Sequence, residues 1–333
     1  MKNLLKEKLK FSVLSAIILT AVSSCSVRDD YPVFEEKEEL IIEDVIPPDN
    51  DTSPVTHKIQ NGTSYFKTFL IDSTKTILSG VEYTHLRFIS NIDQKVSMHI
   101  VEIDRSKGDY NIQALSPFGD YLYATNQETT EMMKMNERFV PNNKQLVAAI
   151  VGGTVGTSVA GKPSYTYVQN DRVISTNTTL TYPAVGVLKS DKSIKVLNTY
   201  SNTIYPVTVI QPANYSQLIS GTNWMLYHGH EAVYSTVTKV ARTAIGFTED
   251  MSKIYLIAVD GVNAFSDGIT LNDFRTVFKS LGCHSAFYTN GSGSNALAVK
   301  SISSSKNGYD LKSIPTTATS PAIPFAIGIV GNK

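Results

Sequence analysis

Cysteine is scarce in this chain, with only Cys25 and Cys283 among 333 residues, and tryptophan occurs once. No run of Lys and Arg is dense enough to track a nucleic-acid backbone, so nucleic acid is not an expected partner. No apolar run reaches the roughly 20 residues that a membrane-spanning helix needs. Internal repeats and an interdomain linker are also lacking. The formal charge is zero, with 30 basic and 30 acidic residues, but the balance is uneven. Up to Asp51 there are eleven acidic and six basic residues, which leaves the remainder at +5. A mildly basic body suits an anionic ligand.

What is present begins with a leader. "MKNLLKEKLK" is basic and "FSVLSAIILTAV" is an apolar stretch of secretory length. It closes on Val22-Ser23-Ser24-Cys25, which resembles a bacterial lipobox; the alternative is an ordinary signal peptide cut near Ser24. On the lipobox reading residues 1–24 are a lipoprotein signal peptide and Cys25 carries the lipid that anchors the protein to a membrane. Cys283 then has no partner for a disulfide, and reads as a small core residue. Residues 25–57 are acidic, broken by proline and without a sustained period, which predicts a flexible tether. Acidic residues soon after a lipidated cysteine resemble the surface-export signal of Bacteroidetes lipoproteins. The expected location is the cell envelope, as an outer-membrane lipoprotein exposed at the surface.

From residue 58 to 333 the chain is long enough for one large domain. "KVSMHIVEID" alternates, while "QLVAAIVGG", "YPAVGVLK", "ARTAIGFTED" and "KIYLIAVDG" are short apolar runs that stop at turn residues. Two segments read as helices. "TNQETTEMMKMNERF" offers Thr125 or Asn126 as a cap and Met132, Met135 and Phe139 as one face. "TLNDFRTVFKSLGC" offers Thr270 with Asp273 as a loose capping box, Leu271, Phe274, Phe278 and Leu281 as the apolar stripe, and Gly282 as the stop. The expected fold is α+β: a β-rich single domain with mixed sheets and a few flanking helices.

Four stretches, in order, carry a resemblance: Val147 to Gly156 ("VAAIVGGTVG"), Arg242-Thr243-Ala244-Ile245-Gly246, Val259-Asp260-Gly261 followed by Gly268-Ile269-Thr270-Leu271, and the loop Asn290 to Asn295. Together they resemble the phosphodiester glycosidase domain, whose members include the enzyme that removes N-acetylglucosamine from a mannose phosphate diester. "VSMHIVEIDRSKGDYNIQAL" resembles the opening hairpin of that domain, so the resemblance runs from about Val81 to the C-terminus. The departures are specific. Asn290 stands where the family has a loop aspartate, Ser292 at its central glycine and Asn295 at its final serine. Val151 replaces an asparagine, Thr154 and Val155 replace two phenylalanines, and the C-terminal strand lacks a common Arg and Asn.

The resemblance implies hydrolysis of sugar-1-phosphate diesters in glycans, of the N-acetylglucosamine-phosphodiester kind. It needs no cofactor or metal. Such a reaction builds oxocarbenium-like charge on the sugar and releases a phosphate monoester, which calls for positive charge and N–H donors. Arg242 reads as a phosphate clamp or as the partner of a structural carboxylate. Asp260 reads as a group that orients Arg242 or stabilises the sugar cation, or as a turn residue. Asn290 is the third catalytic candidate, though an amide cannot exchange a proton as a carboxylate does. Thr243, Gly152, Gly153, Gly291, Ser292, Gly293, Ser294 and Asn295 complete the expected binding surface, with Gly291 and Gly293 supplying unusual φ values and the loop amides cradling an anion. No Gly-Lys-Ser/Thr follows the loop, so it is not a P-loop. His228-Gly229-His230 would set two imidazoles on one strand face as a metal pair, yet no third ligand is near, and His99 and His284 read as ordinary strand residues. The alternative to an enzyme with a diverged active site is an inactive surface protein of the same fold that binds a glycan or phosphoglycan.

Overall fold

The computed structural model describes residues 52–121, 123, 125–153, 162–176, 182–198, 210–302, 308–313 and 322–333. The leader, Cys25, nearly all of the segment read as a tether, and Thr154 and Val155 lie outside these residues. The described residues belong to one compact unit, Val45–Lys333; a second, Met1–Asp44, falls outside them.

Along the chain come α1 (Pro54–Gly62), β1 (Phe66–Leu78), β2 (Val81–Ser90), β3 (Lys95–Asp104), β4 (Asn111–Leu115), β5 (Gln127–Glu128), α2 (Thr129–Asn136) and β6 (Lys144–Val151). Then follow β7 (Tyr167–Gln169), β8 (Arg172–Ser175), β9 (Pro183–Leu188), β10 (Ile194–Asn198), β11 (Tyr215–Ser220), β12 (Asn223–Tyr227) and β13 (His230–Glu231). The last part holds β14 (Arg242–Phe247), β15 (Lys253–Val259), α3 (Leu271–Ser280), β16 (Ser285–Gly291), β17 (Leu297–Lys300), β18 (Tyr309–Leu311), β19 (Ala322–Ile323) and β20 (Ala326–Asn332).

The main sheet has the order β1-β2-β3-β15-β14-β16-β12-β13. A second runs β18-β17-β6-β20-β4 and a third β10-β9-β11-β7-β8, while β19 pairs with β5 alone. The sequence suggested mixed sheets, but every pairing among the described strands is antiparallel. The short apolar runs of the sequence are buried strands, apolar because both their faces are covered.

One face of the main sheet packs through Ile245, Phe247, Leu256 and Phe287 onto Val147, Ile150, Leu297 and Ile327 of the second sheet and Val185 and Ile219 of the third. Its other face meets α1 and α3 through Ala244, Tyr255, Ile257, Ile59, Phe274 and Phe278. The outer face of the second sheet is covered by Met132 and Met133 of α2.

Helix α3 forms as its sequence predicts: the Thr270 hydroxyl accepts from the Asp273 N–H and donates to its carboxylate, and Gly282 takes φ +81° beyond the last turn. Helix α2 starts later than expected, because Gln127–Glu128 is captured by β19; its buried face is Met132, Met133 and Asn136, with Met135 exposed. Helix α1 was not anticipated. It begins inside the segment read as a tether, capped by the Ser53 hydroxyl, and buries Val55 and Ile59. No described helix is long and apolar enough to cross a membrane.

Candidate active site

Register places the polar groups. Side chains directly opposite in antiparallel strands share a face. His85 pairs with His99, His99 with Ala258 and Ala258 with Thr243; a bulge in β16 then sets Thr289 and Asn290 together opposite Thr243, whose Oγ1 lies 2.9 Å from Thr289 Oγ1, making one row across five strands. One pleat deeper the row is Tyr83, Val101, Leu256, Ile245 and Phe287, apolar apart from the Tyr83 hydroxyl. One pleat outward, Arg87 pairs with Ser97, whose carbonyl accepts from the Asp260 N–H. The inner face of the main sheet therefore ends in a polar lip.

Asp260 sits just past the end of β15 and is 1% exposed. Its Oδ2 accepts from the Ser97 hydroxyl at 2.6 Å and lies 3.0 Å from His99 Nε2. His99 Nδ1 is 2.8 Å from the Tyr83 hydroxyl, and His85 Nε2 is 3.2 Å from Ser97 Oγ. The imidazoles of His85 and His99 stack, 4.5 Å apart and 7° from parallel. Burial, and then the charge of Asp260, push the Tyr83 phenol well above its ordinary value. Burial, and then His99, push His85 down to about 4. His99, read from sequence as an ordinary strand residue, is the centre of this network. The signal was in the hairpin: once 85 is set opposite 99, His85, Arg87, Ser97 and His99 fall on one face.

Arg242 takes a different direction. It is paired with Val259 and Gly291, one residue out of step with Thr243, so it faces the helices. Its Nε donates to the Ile269 carbonyl at 2.7 Å and Nη2 to the Thr238 carbonyl at 2.9 Å, with the guanidinium 5.3 Å from the Tyr288 ring centroid. At 6% exposure it fastens the backbone behind the site and does not face Asp260. Burial lowers its pKa, the opposite of what a carboxylate partner would do.

The glycine loop does lie beside these strands, since Gly291 and Arg242 are register partners. Asn290 Oδ1 accepts from the Gly291 N–H at 2.8 Å, and the Ser292 N–H donates to the Ala241 carbonyl at 2.8 Å. The first closes the loop on itself, the second ties it to the residue before β14, and neither amide is left for a ligand. The left-handed residue is Ser292 at φ +57°, where the sequence reading expected glycine to be needed at 291 and 293. Gly291 is required for another reason: a Cβ there would run into the Ala241 carbonyl and the Tyr288 hydroxyl. Gly293 has open space around it. Ser294 is half-buried, and Asn295 is buried, with Nδ2 donating to the Val259 carbonyl at 2.9 Å. That bond ties the loop to the end of β15.

Gly152 and Gly153 follow the end of β6. The Gly152 N–H donates to the Phe325 carbonyl at 2.9 Å, and a Cβ would strike the Phe325 ring; Gly153 lies against the Ser220 carbonyl. Val151 points into the apolar cluster beneath α2. The His-Gly-His segment is a tight turn, with His228 at φ +49° and Gly229 at φ +78°. Among the described residues no cluster of His, Cys, Asp and Glu has the make-up of a metal site. Cys283 is buried, and burial raises its thiol pKa, which disfavours the thiolate.

The sequence profile of the phosphodiester glycosidase family matches residues 144–330, a span that includes Gly152, Thr243, Asp260 and the loop Asn290–Asn295. The fold is similar to the zebrafish N-acetylglucosamine-1-phosphodiester alpha-N-acetylglucosaminidase catalytic domain auto-inhibited by its pro-peptide. There the TM-score is 0.56 at 18% identity, covering 78% of this chain and 88% of that one. An exported protein of Burkholderia pseudomallei is similar at TM-score 0.56 and 10% identity, covering 79% and 97%. A hypothetical protein of Synechocystis gives 0.53 and 11%, covering 79% and 64%. No curated protein matches the chain. With more than half its length inside the family profile, the chain belongs to the phosphodiester glycosidase family.

Proposed function

We propose that this protein hydrolyses a sugar-1-phosphate diester, releasing the sugar and a phosphate monoester, with Asp260 as the carboxylate at the reacting centre. The observation that carries the reading is the buried Asp260, whose Oδ2 is held by Ser97 and His99 at the lip of the sheet. A fixed negative charge there favours the oxocarbenium-like transition state over the neutral ground state, and preorganised charge of that kind is commonly the largest catalytic contribution. Water supplies the hydroxyl that goes to the sugar, and the phosphate leaves as a stable anion. Arg87, one row out on the same face, brings positive charge to that side of the sheet, whereas Arg242 does not.

The test uses the full chain with α-N-acetylglucosamine-1-phospho-methylmannoside and measures N-acetylglucosamine release. Asp260→Asn should lower kcat by about 10²-fold or more with KM little changed. Equal turnover by the unmodified protein and the variant would end the assignment of Asp260. We further propose that Cys25 is lipidated and holds the protein at the cell envelope, a reading supported by the leader alone; Cys25→Ala protein that still partitions wholly with membranes would count against it.

A further inference from the structure

The network around Asp260 has a direction that acid–base chemistry fixes. A carboxylate only accepts hydrogen bonds, so His99 Nε2, 3.0 Å from Oδ2, must carry a proton. The Ser97 hydroxyl also points to Oδ2, so its oxygen is an acceptor for His85 Nε2–H. Nδ1 of His99 faces the Tyr83 hydroxyl at 2.8 Å, and a phenol whose ionisation is pushed up by burial keeps its proton to donate. Around His99 stand Tyr83, His85 and Arg87 of β2, Ser97 of β3 and Asp260 beyond β15; Lys312 lies against Tyr83, its Nζ 5.4 Å from that ring centroid and 3.3 Å from Asp310. The stacked His85 ring is held neutral by burial, so it neither donates charge to His99 nor competes for Asp260.

We propose that His99 is the positioning residue of the reaction assigned above: locked by Tyr83 as the neutral Nε2–H tautomer, it holds the Asp260 carboxylate in its working orientation. This rests on the reading of Asp260 as the reacting carboxylate. Tyr83, His85, Ser97 and His99 all lie before residue 144, outside the segment that defines the family, so nothing in the family match assigns them a role. The logic is that of any oriented side-chain pair: a hydrogen bond to the far nitrogen selects the tautomer, and the near nitrogen then presents a fixed donor.

Two measurements separate the outcomes. Long-range proton–nitrogen NMR of the full-length, 15N-labelled protein at pH 7 should show His99 protonated at Nε2 and bare at Nδ1. Tyr83→Phe, which removes one hydroxyl and leaves the ring, should convert that single tautomer into a mixture. An Nδ1–H tautomer or a doubly protonated ring in the unmodified protein overturns the proposal without reference to turnover. In the diester assay, His99→Ala should lower kcat about 10- to 100-fold with KM within about twofold. His99→Gln, whose side-chain N–H₂ reaches to where Nε2 stands, should recover most of that loss. If His99 were only structural, both substitutions would lower melting stability and leave kcat per folded molecule unchanged, and that result also overturns the proposal. An unmodified protein inactive on every diester would remove the function proposed for the site, and the positioning role with it, while the NMR result would still decide the hydrogen-bond geometry.

Discussion

Restoring the family's loop carboxylate, Asn290→Asp, is the most informative single change. Asn290 is half-buried and its Oδ1 accepts from the N–H of Gly291, a bond that a carboxylate oxygen can make in the same position. Making the acceptor ionic should strengthen it by about 1 kcal/mol. Against this stands the charge of Asp260. Asn290 is in register with Thr243, Thr243 with Ala258, and Asp260 is two residues beyond. Two strand spacings and one pleat repeat put the two α-carbons about 12 Å apart. At an effective dielectric of about 20, two charges at that separation repel by about 1.4 kcal/mol, less with salt present. The two effects nearly cancel, so stability should change by less than about 1 kcal/mol, or a melting shift of roughly 2–4 °C in a domain of this size. If the family's aspartate does chemistry, kcat on the diester should rise about 10²-fold with KM little changed. If it only closes the loop, as the Oδ1–Gly291 bond suggests, kcat should stay where it is. A loss of stability beyond about 2 kcal/mol would refute the reasoning, because it would mean the new charge is much nearer Asp260 than the register allows. Melting and turnover on the same preparation decide both points.

Ser292 holds φ +57°, a conformation that costs an L-residue about 1–2 kcal/mol and glycine almost nothing. Ser292→Gly should therefore raise stability by about 0.5–1 kcal/mol, after the greater freedom of glycine in the unfolded chain is counted; a fall in urea midpoint would disprove the strain. Arg242→Met leaves the Ile269 and Thr238 carbonyls without their donors and should cost about 2–4 kcal/mol in denaturant melts, with ligand affinity kept. Unchanged stability with lost affinity would instead return Arg242 to the role of phosphate clamp. His85, depressed to about 4 when folded against about 6.5 when unfolded, adds stability that is complete above pH 6.5 and is lost as pH falls toward 4. Allowing for its partial exposure, the loss should be about 1–2 kcal/mol, and His85→Gln should flatten the difference in melting between pH 7 and pH 4.5; the same slope in the variant would rule His85 out as its source.

Local sequence determined those features whose physics is local. Thr270, Asp273, the apolar stripe and Gly282 specify α3 because a cap, a period and a stop all act within a few residues. The runs "ARTAIGF" and "KIYLIAV" specify buried strands for the same reason, and the spaced motifs specified the family. Facing was decided elsewhere. Arg242 and Asp260 read as a pair in sequence, yet a one-residue offset in register turns Arg242 to the helices and leaves Asp260 on the inner face. Val151 is turned by the same alternation into the cluster under α2. Helix α1 escaped notice because its stability comes from burying Val55 and Ile59 against residues more than two hundred positions away, not from its own polar sequence. The partner of Asp260 was hidden for a similar reason. His99 lies 161 positions before it, and only the pairing of β3 with β15 makes them neighbours. Periodicity and capping are properties of a segment; hydrogen-bonded neighbours across a sheet are a property of the whole fold.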